Sequence, residues 1–552
     1  MKVKLLFAAL AVALTAGLRM PEASACTNLI VGKKASKDGS VMVSYSADSH
    51  VLYGELYHYP AGKHAKGTMR KIVEWDTYKY LGEIPEAPET YNVIGNMNEH
   101  QVLIGESTWG GRKELHEPNG IMDYGSLIYV ALQRSKTARE AIKVMTDLVE
   151  KYGYHSSGES FSIADKNEVW VLELIGKGKH EKGAVWVAIR IPDDAISGHA
   201  NQARIQQIPF KDKANCMYSK DVVSFARKMG YFSGKDKDFS FQAAYNPYDA
   251  TGLRGCEGRV FAFFNKFSKD AKQYENFILG KSDTPMPLYI KPDRKLSVGD
   301  VRDMMRDHYE GTCLDMTKDV GAGPYHVPYR WRPMTFVVDG KEYVNERAIA
   351  TQQTGWVFVG QLRSELPDPI GGVLWFGTDD ADMAVFTPIY CSVTEVPECY
   401  RQGNGDMLTF SWTSSFWIHN WVANMAYHKY SFMIEDIRKV QRELEGSYDA
   451  QLVPMADKKA LELFGQDPAQ ATTFLNQFCA LNSNAATARW KQLGEYLLVK
   501  YIDGNVKKEK DGKFLRDENG NTPMPNQPGY DEKYYRNIVE DTGDHLLIGP
   551  AN

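Results

Sequence analysis

The chain has 552 residues, 43% of them hydrophobic and 24% charged, enough for a sizeable core and for more than one domain. Its net charge of -5 provides no basic field to hold nucleic acid, which sets that class of partner aside. The aromatic share of 12% suits a protein with many strands and a lined cleft.

Lys2 and Lys4 precede an apolar run from Leu5 to Leu18, and Ala23-Ser24-Ala25 follows before Cys26. A charged start, a short apolar stretch and an A-x-A site predict a secretory signal peptide over residues 1–25, cut between Ala25 and Cys26. The run is too short to span a bilayer comfortably, and no later stretch has the length and apolarity of a membrane helix. The expectation is therefore an exported protein, periplasmic or extracellular, with no stable membrane insertion. Export gives weight to the seven cysteines, because an oxidising compartment favours pairing and an odd number leaves one thiol over. If Cys26 is that thiol, the other six allow up to three disulfides, with Cys391 and Cys399 the nearest pair. The competing expectation is that several are buried thiols.

Cys26-Thr27-Asn28-Leu29-Ile30-Val31 reads as a strand, and an Asp38-Gly39 turn leads to a second run over Ser40–Tyr45. The pattern predicts another hairpin from Tyr91–Ile94 and Val102–Gly105, turning at Asn98-Glu99-His100. Thr137-Ala138-Arg139-Glu140 has capping-box spacing and precedes apolar Ile142, Met145, Leu148 and Val149, with Gly153 as a stop, which predicts a helix. Strands are then expected at Phe161–Ala164, Val169–Leu174 and Ala184–Ile191. Strands, then a helix, then strands indicate an α+β layered domain rather than alternating βαβ units. From Trp412 to about Tyr501 the periodicity is helical. Beyond Gly504 the chain is polar and reads as an extended tail or wrapping arm. The resulting division is 1–25 signal peptide, 26–411 main domain, 412–505 helical extension and 506–552 tail.

The placement of Cys26 carries the chemistry. Cleavage at Ala25 would put a new α-amine on the residue that also bears a thiol, and such an amine titrates near ~7.7–8.0. A thiol activated by its own terminal amine is a known catalytic arrangement that needs no separate histidine. The rival is a lipoprotein acylated on Cys26 that binds peptides or glycans. Against it, Ala23 is small for the first lipobox position, and a strand starts at once where a polar spacer is usual. No HExxH, Walker loop, GxSxG elbow or CxxC pair is present, and the thirteen histidines lack metal-ligand spacing. No metal and no cofactor is expected.

The run from Cys26 to Ser40 resembles the opening of the bacterial dipeptidase A family, cysteine peptidases related to penicillin V acylase and bile-salt hydrolase. The likeness continues through Asn98-Glu99-His100-Gln101, Glu106-Ser107-Thr108, Ser197–Arg204, Gly360–Ser364 and Trp375-Phe376-Gly377. It implies an αββα N-terminal-nucleophile sandwich of two antiparallel sheets, extended here by the C-terminal helices. It also implies Cys26 as nucleophile, Asp48 as the aspartate that bonds the amine and substrate, and Asn201 as the oxyanion amide. Such an amide is worth roughly 2.7–4 kcal/mol in the barrier. Glu106, Ser107 and Arg204 are the expected substrate-binding residues. Two positions depart from the family: Tyr45 stands where an arginine is usual, and Ser107 lies near an asparagine of the acylase relatives. The reading is a cysteine dipeptidase acting on dipeptides or short peptides. An acylase on N-acyl amides is the alternative, and a homo-oligomer is compatible with the sequence.

Overall fold

The computed structural model describes residues 26–549, so the predicted signal peptide lies outside the described residues. In chain order the principal elements are β1 (Thr27–Val31), β2 (Val41–Asp48), β3 (His58–Tyr59), β4 (Val93–Ile94), β5 (Met97–Asn98) and β6 (Leu103–Trp109). Next come α1 (Tyr124–Leu132), α2 (Ala138–Tyr152), β7 (Gly158–Ala164), β8 (Val169–Gly176), β9 (Ala184–Arg190), β10 (Ile196–His199) and β11 (Cys216–Tyr218). The domain is completed by α3 (Gly258–Phe267), β12 (Tyr289–Ile290), α4 (Val298–Met305), β13 (Thr354–Leu362), β14 (Gly372–Thr378) and β15 (Thr387–Tyr390).

Two antiparallel sheets form the centre. The first has seven strands in the order β12-β10-β1-β2-β13-β14-β15, and the second has eight in the order β11-β9-β8-β7-β6-β5-β4-β3. Alternation along β8 shows how they stack. Val169, Val171 and Ile175 join the core shared with β1 and β2, while Trp170, Leu172 and Leu174 join a second core with Leu127, Ile142 and Met145 of α1 and α2. On the other side α3 and α4 pack against β1, β2, β10 and β13. The result is the α+β sandwich of layered helices and antiparallel sheets expected from the sequence.

Local chemistry explains the first elements. All of β1 and β2 is buried, as the β-branched and aromatic content of central strands requires. Between them Asp38 Oδ1 accepts from the backbone N–H and hydroxyl of Ser40, at 3.1 and 2.7 Å, and Gly39 takes φ +79. This is an Asx turn with a glycine where the backbone is left-handed. Thr137 caps α2 by accepting from Glu140 N, and Gly153 ends it at φ +80.

Three expectations change. Val93–Ile94 does not pair with the strand containing Gly105; β5 intervenes, and the chain makes a three-stranded meander that turns at Gly95, φ +53. All seven cysteines are thiols: Cys391 Sγ donates to Asp368 O at 3.1 Å, and Cys479 Sγ accepts from Tyr390 N at 3.5 Å. The segment after Gly504 is not only extended, because a short hairpin (Glu509–Lys510 with Lys513–Phe514) and helix α9 (Glu532–Thr542) form within it.

Ahead of that segment run α5 (Ser415–Ala426), α6 (Tyr430–Ser447), α7 (Val453–Gln466) and α8 (Pro468–Tyr501). They are fixed to the sheet domain by buried ion pairs. Glu445 accepts from both Nη atoms of Arg306 and from Phe386 N, and Arg363 pairs with Asp457. Helix α8 covers β15, where Ser483 and Thr387 hydroxyls meet at 3.1 Å and Tyr390 N reaches Cys479. Among the described residues no helix is long and apolar enough to cross a membrane.

Candidate active site

Strand register brings the candidate residues together. In β1–β10 pairing Asn28 faces His199 and Leu29 faces Gly198, so continuing the ladder two residues places Cys26 opposite Asn201. In β1–β2 pairing Thr27 faces Ser46, which leaves Cys26 at the end of β2 where Asp48 stands. Asp48 in turn faces Thr354 of β13. Three strand ends of one sheet therefore converge on Cys26, which is 3% exposed.

The second sheet reaches the same point because Gly105 lets it. A Cβ there would lie 2.3 Å from Asn28 Oδ1. That close approach brings Glu106 to the sulfur: Cys26 Sγ is 3.4 Å from Glu106 Oε1 and 3.7 Å from the Tyr45 hydroxyl, which donates to the same Glu106 oxygen at 2.6 Å. Burial, then Glu106, then Asp48 push the Cys26 thiol up, and hydrogen bonds from the Asp48 backbone N–H and Tyr45 oppose them. The resting group is therefore the thiol.

Asn201 holds the backbone of Cys26. Its Oδ1 accepts from Cys26 N at 2.9 Å and from Arg259 Nη2 at 2.9 Å, while Nδ2 donates to Thr108 O at 2.6 Å. The residue sits at φ +58, a left-handed conformation that asparagine tolerates better than most side chains. Arg259 also donates through Nη1 to Cys26 O at 2.7 Å and to Thr27 Oγ1 at 2.9 Å, and through Nη2 to Ala200 O at 3.2 Å. Burial and the nearby Arg347 lower its pKa to about 10. At neutral pH it is a buried cation on neutral acceptors.

Asp48 is at this point too, but its carboxylate is already engaged. Thr354 donates to Oδ1 at 2.7 Å, and Ser46 at 2.9 Å and Arg347 both bond Oδ2. Arg347 is thus the cation paired with Asp48, while position 45 holds an uncharged tyrosine. Two other expectations meet different partners. The Ser107 hydroxyl bonds His199 Nδ1 at 2.6 Å, and Ser162 bonds the other ring nitrogen at 2.7 Å. Burial and Arg204 lower His199 to about 3, so it is a neutral bridge between the sheets. Arg204, expected to bind substrate, is 1% exposed, and its guanidinium donates to Glu257 and to the carbonyls of Gly198, Leu288 and Pro287. It braces β10 against β12.

The sequence reading missed Arg259, Arg347, Thr354 and Glu159. A signal existed for the first: Arg259 precedes Val260-Phe261-Ala262-Phe263-Phe264 on a helix whose apolar run would otherwise be uncharged. Arg347 and Thr354 lie about 300 residues from Asp48 in sequence, with no motif to mark them. Among the described residues no group of His, Cys, Asp or Glu could hold a metal ion.

The model of peptidase family C69 matches residues 25–58 and 52–443, most of the chain. A "Probable dipeptidase" of Latilactobacillus sakei is 27% identical over 493 residues, covering 84% of this chain and 94% of the relative. A "Probable dipeptidase" of Salmonella dublin is 28% identical over 394 residues, 68% of this chain and 82% of its own length. "Dipeptidase A" of Lactobacillus helveticus is 24% identical over 455 residues, 78% and 86% respectively.

Proposed function

The chain belongs to peptidase family C69, and from that premise we propose that it is an exported dipeptidase whose nucleophile, Cys26, becomes the first residue when residues 1–25 are removed. The observation that carries this reading is that one buried residue presents both groups the chemistry needs. The Cys26 nitrogen is held on Asn201 Oδ1, and its thiol stands at the carboxyl of Glu106. The dipeptidase names of the relatives support peptides over N-acyl amides as substrates.

In the full-length chain the Cys26 nitrogen is a peptide amide without useful basicity. Cleavage after Ala25 makes it an amine with an ordinary pKa of ~7.7–8.0. Arg259, bonded to the same Asn201 oxygen, places a positive charge beside that amine and favours its neutral, basic form. The amine takes the thiol proton, directly or through water, and sulfur attacks the carbonyl carbon of the scissile bond. The Asn201 amide, with a backbone N–H, stabilises the oxyanion. The ammonium then gives its proton to the leaving nitrogen, the C–N bond breaks, and an S-acyl enzyme remains. Water, deprotonated by the same amine, attacks the thioester, and sulfur leaves to recover its proton.

A lipid on Cys26 would have to leave a position that is 3% exposed, which weighs against the lipoprotein. The test is the mass of the mature N-terminus together with hydrolysis of a dipeptide by wild type and Cys26→Ala. A chain beginning at Cys26 with a free amine, active only when the thiol is present, is expected. A different or acylated N-terminus, or substantial turnover by Cys26→Ala, overturns the reading.

A further inference from the structure

The catalytic cycle leaves unused one oxygen of Glu106 and the whole of Glu159. In β6–β7 pairing Glu106 faces Phe161 and Thr108 faces Glu159, so the two glutamates are diagonal neighbours on one face of the sheet. They are 2% and 0% exposed. Tyr45 occupies Glu106 Oε1, and the Thr108 hydroxyl occupies Glu159 Oε2 at 2.8 Å. Glu106 Oε2 and Glu159 Oε1 receive no donor from any other group among the described residues, and the two carboxyls bond each other. The titratable groups around the pair are acids, a thiol and phenols: Asp76, Cys26, Tyr45, Tyr124, Tyr129 and Tyr154.

Two buried carboxyls this close do not both ionise without a cation. Burial raises both, and each is raised further by neighbouring carboxylates, Asp76 for Glu106 and Glu106 for Glu159. Without a cation they hold a proton between them. A ligand with several N–H donors and a positive charge would satisfy both oxygens at once. The scale fits a peptide N-terminus. Its α-nitrogen lies ~2.5 Å from the first carbonyl carbon, by the N–Cα and Cα–C bond lengths. Attack requires sulfur ~3–3.5 Å from that carbon, and Glu106 Oε1 is itself 3.4 Å from the sulfur. Asp48, the earlier candidate for this contact, has both oxygens engaged by Thr354, Ser46 and Arg347.

We propose that Glu106 and Glu159 together bind the α-ammonium of the substrate and so direct cleavage to the first peptide bond of unblocked peptides. This rests on the reading of Cys26 as the nucleophile of a peptidase. On binding, the ammonium replaces the shared proton, which passes to solvent. Affinity therefore rises with pH as the pair loses its proton, until the ligand's own amine deprotonates near ~8.

Calorimetry on Cys26→Ala protein processed to begin at residue 26, with alanylalanine and N-acetylalanylalanine as probes, reads this out. Alanylalanine should bind at least tenfold tighter than its acetylated form, and buffers of different ionisation enthalpy should report one proton released. Glu159→Gln on the same background should weaken alanylalanine binding about tenfold and leave the acetylated probe unchanged. Equal affinity for the two probes needs no variant to interpret, and it overturns the site, as does absence of alanylalanine binding. An unchanged affinity in a folded Glu159→Gln protein does the same. Turnover by the processed wild type separates the two readings. Ammonium-dependent binding without hydrolysis keeps the site and removes the peptidase mechanism. Equal kcat/KM for free and acetylated peptide keeps the mechanism and removes the site.

Discussion

Arg259 donates to the backbone carbonyl of Cys26 at 2.7 Å while its other terminal nitrogen shares Asn201 Oδ1 with the Cys26 nitrogen. One guanidinium therefore fixes the carbonyl of Cys26 directly and its nitrogen through a single shared oxygen. Arg259→Lys keeps a charge but cannot span these acceptors. We expect kcat about a hundredfold lower, as for a small misplacement of a reacting group. Arg259→Met should also cost roughly 2–4 kcal/mol, because several buried acceptors lose their donor. Steady-state kinetics beside urea unfolding would separate the two effects, and wild-type kcat in Arg259→Lys would remove Arg259 from the positioning role.

A second expectation isolates the amine from the thiol. A protein made to begin at Ala25 retains Cys26 and β1, but its Cys26 nitrogen is an amide. It should fold, give at most a trace of dipeptide hydrolysis, and gain full activity when the extra residue is trimmed without refolding. Full turnover with Ala25 verified in place by mass spectrometry after the assay would assign the base to another group.

Asn201 needs a paired test because its backbone is left-handed. Asn201→Ala loses the amide and adds strain of ~1 kcal/mol, whereas Asn201→Gly loses only the amide. Both should lower kcat and kcat/KM together, by about 10²–10³. Both should lower the urea midpoint, because Cys26 N, Arg259 and Thr108 O lose their partner, and the alanine variant should lower it further. Glycine kinetics near wild type would mean that Asn201 serves the backbone alone.

The pH dependence of stability should carry the mark of His308. Burial pulls its pKa down, but the carboxylates of Asp382, Glu310 and Asp380 outweigh this and raise it from 6.5 to about 9. The folded chain thus binds this proton more tightly than the unfolded chain. The stabilisation is complete below ~6.5 and is lost as pH rises through about 9, on the order of 3 kcal/mol. Urea midpoints should fall across that window in wild type and fall less in His308→Gln; parallel profiles would discount the residue.

Much of the layered fold was legible because its signals are local. The strand runs of β7, β8 and β9 were marked, capping marked α2, and the Asp38-Gly39 turn marked the β1–β2 hairpin. What could not be read is what register and distance decide. Ser107 and Arg204 stand in the right stretches of chain, yet the sheet interface and the β10 brace claim their polar groups. Glu159 lies before the expected Phe161–Ala164 strand, and only the pairing of the longer strand sets it diagonal to Glu106. Tyr45 drew notice as an odd residue, and its hydroxyl on Glu106 gives it a place in the site that a pattern of charges could not supply.

The cover of α8 over β15 bears on how the chain reaches this state. β15 is the last strand of its sheet, and an unguarded edge invites pairing with another molecule. Here Tyr390 N is taken by the sulfur of Cys479, and the Thr387 hydroxyl meets Ser483. The guard lies about 90 residues further along the chain than the edge it protects. A chain emerging from the ribosome or a translocase carries a nearly complete sheet with an open border until α8 follows. We expect nascent chains stalled in that interval to clump more readily than chains that include α8, because the border stays open until then.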